Sequence, residues 1–275
     1  MRSNNPVIGT LERSAAARYS TSRDPFGSAD TMGTTPFTLP AVQPTGERAI
    51  TVDDIIAKTG ITLAVIVVAA MANFALALTG NAGATMGLTF LGAIGGLIAV
   101  LVSSFSAKGG GSAAVTLIYA VFEGLFVGGF SFLMTGFTAA NTDIGILIAQ
   151  SVIGTFGVFA GMLYVYKSGA VKVTGKFRRV ITGALFGVLA MVIVNLITSF
   201  FGLNLLRDGG LLSIVFSLVV IVIGAFTFLL DFDEADRMVR AGVPARYAWG
   251  IALGLAVTVV WLYTEILRFL SYFRD

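Results

Sequence analysis

Between residues 59 and 270 the chain repeats one feature seven times: an apolar run long enough to cross a bilayer, which takes about 20 residues. The runs fall at roughly 59–79, 86–105, 113–134, 144–166, 180–200, 211–231 and 248–270. A water-soluble fold has no use for seven such segments. The rest of the sequence agrees, since 56% of residues are hydrophobic and only 12% are charged, about half the charged share of an ordinary soluble domain. The connections are short, which favours antiparallel neighbours in a compact bundle. A β-barrel would need alternating strands of ~10 residues, and these runs do not alternate. The expected fold class is all-α: a polytopic membrane protein built as a seven-transmembrane-helix bundle over residues 49–275.

Residues 1–48 have a different character. Five of the six prolines lie here (Pro6, Pro25, Pro36, Pro40 and Pro44), among Ser, Thr, Gly and Arg. Such a segment buries too little apolar surface to offset its ordering entropy, so a disordered tail is expected. With no apolar stretch in the first thirty residues it does not read as a signal peptide. Thr51-Val52-Asp53-Asp54 then reads as a helix start, with Thr51 as N-cap and two acids facing the positive end of the helix dipole.

Two absences limit the chemistry. Without cysteine or histidine there is no thiolate nucleophile, no imidazole base and no thiolate or imidazole metal site. An intramembrane serine protease of the Ser–His kind is excluded. Span seven has no Lys for a retinal Schiff base, and no complete catalytic constellation is present, so no enzyme activity is expected. Any protonation switch would have to use carboxylates.

The net charge of +3 reads as topology. Lys167, Lys172, Lys176, Arg178 and Arg179 follow span four; Arg237, Arg240 and Arg246 follow span six; Lys108 follows span two; Arg48 and Lys58 precede span one. In a seven-span chain all of these share one side. The other side holds only Arg207, Arg268 and Arg274. By the positive-inside rule the N-terminus is cytoplasmic and the C-terminus outside. No basic stripe is interleaved with exposed aromatics, so no nucleic-acid partner is expected. Five glycine pairs spaced four apart (Gly92/Gly96, Gly124/Gly128, Gly157/Gly161, Gly183/Gly187 and Gly250/Gly254) are expected to let helices of the bundle approach closely.

Ionisable residues within spans are functional candidates because charge in a bilayer is costly. Glu123 lies ten residues into span three, about 15 Å from its end. No Lys or Arg in any span lies at that depth. It either faces a cavity or is a neutral Glu bonded to a neighbour such as Asn73, Gln150 or Asn195. Asp231 and Asp233 open an acidic cluster with Glu234 and Asp236 at the end of span six. Carboxylates suit Ca²⁺, and the spacing from Asp231 resembles the start of a calcium loop. However, Asp236 stands at the sixth position, which needs Gly, and Gly242 at the twelfth, which needs Glu. For Asp233, Glu234 and Asp236 a helix cap partly neutralised by Arg237 and Arg240 is the preferred reading. Glu265 near the end of span seven is three residues from Arg268, a spacing that lets the two meet; an ion pair and an outer gate both remain open.

Three of these segments share a resemblance. Tyr119-Ala-Val-Phe-Glu123-Gly124 resembles the aromatic–x–x–x–Glu–Gly pattern of the Bax inhibitor-1 family. Phe228-Leu229-Leu230-Asp231 is similar to that family's aliphatic–Asp stretch in span six, and Leu262-Tyr-Thr-Glu265-Ile-Leu-Arg268 to its closing segment. Thr51-Val-Asp-Asp and Trp261-Leu-Tyr-Thr-Glu265 look most like the actinobacterial branch, often labelled Bax inhibitor-1/YccA-like. The resemblance implies a bundle with the last helix in the middle, in a bacterial plasma membrane. It implies a pH-sensitive cation leak, chiefly for Ca²⁺, closed by two Asp on spans six and seven that share a proton. It also implies an alternative, a non-conducting regulator of another membrane protein such as a membrane-bound protease. Asp231 matches the first Asp. The position of the second, counted back from Arg268, falls on Thr258, and the basic residue relatives place near the end of span two falls on Lys108. Glu123 paired with Asp231 is the replacement expected from the residues themselves. No cofactor is expected beyond Ca²⁺; the partners are lipid, cations and a membrane protein.

Overall fold

The computed structural model describes residues 47–105, 111–136, 144–201 and 210–273. The expected tail up to residue 46, Lys108, Arg207 and Arg274 lie outside the described residues. The described chain forms seven long helices: α1 (Val52–Leu78), α2 (Ala82–Phe105), α3 (Ala113–Gly136), α4 (Ile144–Ser168), α5 (Gly175–Phe200), α6 (Leu211–Arg240) and α7 (Ala248–Ser271), with a single 3₁₀ turn at Ala245–Tyr247 before the last. Each of the seven is long and apolar enough to cross a membrane. The chain is a multi-pass, all-α membrane protein, as its sequence predicts.

α1 begins where expected. The Thr51 hydroxyl accepts from the Asp54 amide at 3.2 Å, and the Asp54 carboxylate accepts from the Thr51 amide at 3.0 Å. This reciprocal cap satisfies two end amides that the helix itself cannot. Two ends differ from the apolar runs. α5 starts at Gly175, five residues before its run, and α6 continues nine residues beyond Asp231. The polar extension of α6 is held by pairs one turn apart, Asp233 with Arg237 at 2.9 Å and Asp236 with Arg240, the spacing at which opposite charges stabilise a helix. The acidic cluster is therefore helical and forms no calcium-type loop. Gly242, at φ +63°, instead ends α6, where glycine adopts the left-handed turn without a Cβ penalty.

α7 is the hub. It packs on α1, α3, α4 and α6, and 67% of its most apolar stretch is buried, against 6% for α5. α5 leans chiefly on α6, with Phe177 edge-on to Phe226. Six hydroxyls in the spans are satisfied locally. Thr62, Thr89, Ser131, Ser151, Thr155 and Thr227 each donate to the carbonyl four residues back, which hydrocarbon surroundings require.

The glycine pairs divide. A Cβ at Gly92 would sit 2.5 Å from the Phe122 carbonyl, and one at Gly124 2.5 Å from the Ile66 carbonyl; one at Gly128 would be closer still to the Ala70 carbonyl, and one at Gly96 would meet the Glu123 carboxylate at 2.8 Å. These pairs bring α2 and α1 onto α3. At Gly157, Gly161, Gly183, Gly187 and Gly254 nothing lies within 4 Å of the added atom. At these positions the close approach expected of them is not made among the described residues.

Candidate functional site

Thr258 projects from the buried face of α7 towards α6. Its hydroxyl donates to Asp231 Oδ2 at 2.7 Å. The Gly254 carbonyl, the usual acceptor one turn back, is 3.3 Å away. A hydroxyl has one proton, so the shorter, charge-assisted bond takes it. The residue that breaks the expected two-carboxylate pattern thus meets Asp231 directly. Thr258 is 4% exposed. Phe228 and Phe232, on either side of Asp231, are buried and stack edge-on against Phe159 of α4 at 5.2 and 5.4 Å.

The remaining acids of α6 are already engaged. Asp233 accepts from Arg178 of α5 at 3.1 Å as well as from Arg237, and Glu234 accepts from the same Arg178 at 3.3 Å. Asp236 takes the Tyr166 phenol at 3.0 Å and Arg240. The expected neutralisation by Arg237 and Arg240 is present, but the acids lie within α6 and do not cap it; Asp231 differs from Asp233 in having no basic partner among the described residues. Among the described residues no three acidic side chains converge as a metal site. One carboxylate and one hydroxyl fall well short of the six to eight oxygens that hold Ca²⁺ tightly. The arrangement suits transient contact with a cation or a proton, not storage.

Glu123 stands elsewhere. Its Oε2 lies over Gly96 of α2, 2.8 Å from where a Cβ would be. The two expected partners are held by different helices: Glu123 of α3 packs on Gly96 of α2, and Asp231 of α6 takes its hydrogen bond from Thr258 of α7. Asn73, one suggested neighbour of Glu123, spends its amide on Thr89 at 3.2 Å and the Leu125 carbonyl at 2.6 Å. Gln150 is exposed. Glu265 is buried and bonded to Arg268 one turn on, the local ion pair that its spacing allows.

A strap that the sequence does not announce fixes the turn between α6 and α7. The Ile50 amide donates to the Val243 carbonyl at 2.8 Å, and the Ala245 amide to the Arg48 carbonyl at 2.9 Å. The Lys58 ammonium donates to the Ala245 carbonyl at 2.6 Å and sits 5.6 Å from the Trp249 ring centre. Ile50 is 2% exposed and packs in one cluster with Ile55, Phe228, Phe232 and Ile251. Arg48 forks onto Asp54 at 2.6 and 2.7 Å. That hydrogen-bonded carboxylate, and then its charge, raise the guanidinium above its ordinary pKa. The start of α1 is thereby tied to the turn that sets α7 against α6.

No curated protein matches the chain by sequence. The family model described as Bax inhibitor 1 like matches residues 5–275, which includes the segments around Glu123, Asp231 and Glu265. On that match, and on seven apolar helices gathered around the last, the chain belongs to the Bax inhibitor 1-like family of membrane proteins.

Proposed function

We propose that the protein is a pH-sensitive cation leak, passing Ca²⁺ or H⁺, with Asp231 as the group that meets the ion and Thr258 as its latch. The observation that carries this reading is the 2.7 Å bond between the two. An ionised Asp231 only accepts, and the Thr258 hydroxyl holds it against α7. A protonated Asp231 can still bond that hydroxyl but loses the charge that strengthens the bond, so proton binding weakens the hold of α6 on α7. A single carboxylate backed by a hydroxyl does this without the second Asp, and without Glu123, which acts as a separate polar group between α2 and α3. The bias of Lys and Arg supports a cytoplasmic N-terminus in a bacterial plasma membrane, which puts the Asp231–Thr258 pair towards the cytoplasmic mouth.

The test is Ca²⁺ and proton flux into liposomes holding the purified protein. Asp231→Asn and Thr258→Val each change the flux or its pH dependence; equal flux in both variants and the parent overturns the mechanism. A second reading, a non-conducting regulator of another membrane protein such as a membrane-bound protease, is supported by Thr258 standing where a second carboxylate is expected. It predicts no flux in any variant, together with a specific membrane partner recovered equally by the parent and by Asp231→Asn.

A further inference from the structure

Away from Asp231, helices α1 and α4 leave a gap between them. Its floor is formed by α3 and α7, and it encloses a cavity of about 330 Å³. On the α1 side its lining runs from Leu63 to Leu78, about 22 Å at the helical rise. Its rim, including Met71 and Leu78 on α1 and Val152 and Phe156 on α4, is apolar and exposed. Its floor includes Val260 and Tyr263, which α7 otherwise buries.

Three properties decide what fills it. The hydroxyls on its wall already have partners: Ser131 and Tyr263 share a hydrogen bond at 2.8 Å, and Thr155 donates to Ser151 at 2.7 Å. A site that asks for no polar partner does not hold ordered water. Its floor is reached only by something thin, since Val260 and Tyr263 are 4% and 9% exposed; a helix of a partner protein, about 10–12 Å across with its side chains, would rest on the rim. Finally, the gap opens along helices that span the membrane, and its α1 wall is longer than one leaflet of hydrocarbon, about 15 Å. The apolar filler at hand that is long, thin and flexible is a lipid tail.

We propose that this gap is a binding site for a single phospholipid acyl chain, which enters between α1 and α4 and rests on α7. The chain replaces the van der Waals contacts that an empty apolar gap forfeits. It touches Val260, two residues beyond Thr258 on the hub helix, so lipid reaches the interior of the bundle without passing the carboxylates.

The experiment uses the full chain in vesicles of phosphatidylcholine carrying a photoactivatable diazirine midway along one acyl chain, with label mapped by mass spectrometry. Label is expected on the Val259–Tyr263 stretch of α7, although α7 is buried, and on Met71 of α1. Val152→Trp fills the mouth and abolishes the α7 label, while Val152→Ala keeps it; Ala75→Phe on the opposite wall repeats the block should Val152→Trp fail to fold. Label on the outer face of α2, at Phe90 and Ile94, is the same in every folded variant. An unlabelled α7 in the parent while α2 is labelled overturns the proposal. So does an α7 label that survives both filling substitutions. The readout is independent of ion flux, so failure of this site and failure of the leak reading are told apart.

Discussion

Helices α2 and α3 and helices α4 and α5 carry the same glycine spacing and use it in opposite ways. On α2 and α3 the glycines admit a neighbouring backbone, with Phe122 and Ile66 carbonyls in the space a Cβ would take. On α4 and α5 the same spacing faces nothing among the described residues. Small residues permit close approach, but approach also needs a helix on the other side. The two membrane carboxyls follow the same division. Glu123, in the tight half, is accommodated by the missing side chain of Gly96. Asp231, on α6, is accommodated by a hydrogen bond from α7.

Overpacking is the largest way to break this contrast. Gly92→Leu drives a side chain into the α3 backbone and costs about 3 kcal/mol or more, read as loss of thermal stability in detergent. Gly157→Leu, at an open position, changes stability by less than about 0.5 kcal/mol. Equal losses at both sites would mean that α4 has a packing partner in the assembled protein. Next comes the polar contact. Thr258→Val keeps the shape and removes the donor, leaving a buried carboxylate without its partner, at about 2 kcal/mol. Thr258→Ser retains most of the stability. A smaller effect is expected at the α5–α6 tie. Arg178→Gln removes two partly exposed ion pairs but leaves Asp233 its bond from Arg237, so the loss is about 0.5 kcal/mol. Proteolysis near residue 175 would show whether α5 then loosens from α6.

The helices were legible because their signal is local: twenty apolar residues, and a Thr with Asp three places on. The end of α6 was not, since its apolar run stops at Asp231 and only the pairing of Asp233 with Arg237 and Asp236 with Arg240 carries the helix further. Thr258 was legible as a departure from a pattern and illegible as a partner, because sequence spacing within α7 says nothing about which α6 residue it meets. The strap of residues 48–50 on residues 243–245 is made mostly of main-chain bonds between segments almost two hundred residues apart. Main-chain bonds carry no residue signature, and Lys58, nearly two turns into α1, reads in the sequence only as a topology charge.

The smallest expected effect is at Glu123, and it bears most directly on whether the two carboxyls work together. Its carboxyl lies over Gly96, with no hydrogen-bonding side chain placed against it, so Glu123→Gln preserves shape and costs less than about 0.5 kcal/mol. Asp231→Asn alters the bond from Thr258 and costs more. Because Glu123 packs on α2 and Asp231 is bonded to α7, the double variant Glu123→Gln/Asp231→Asn is expected to lose the sum of the two single losses to within about 0.5 kcal/mol. In vesicles its flux likewise follows from the single variants by multiplication. A coupling above about 1 kcal/mol would mean that the carboxyls exchange a proton or a cation in a conformation other than this one, and would restore the pairing suggested by two acids with no base at their depth.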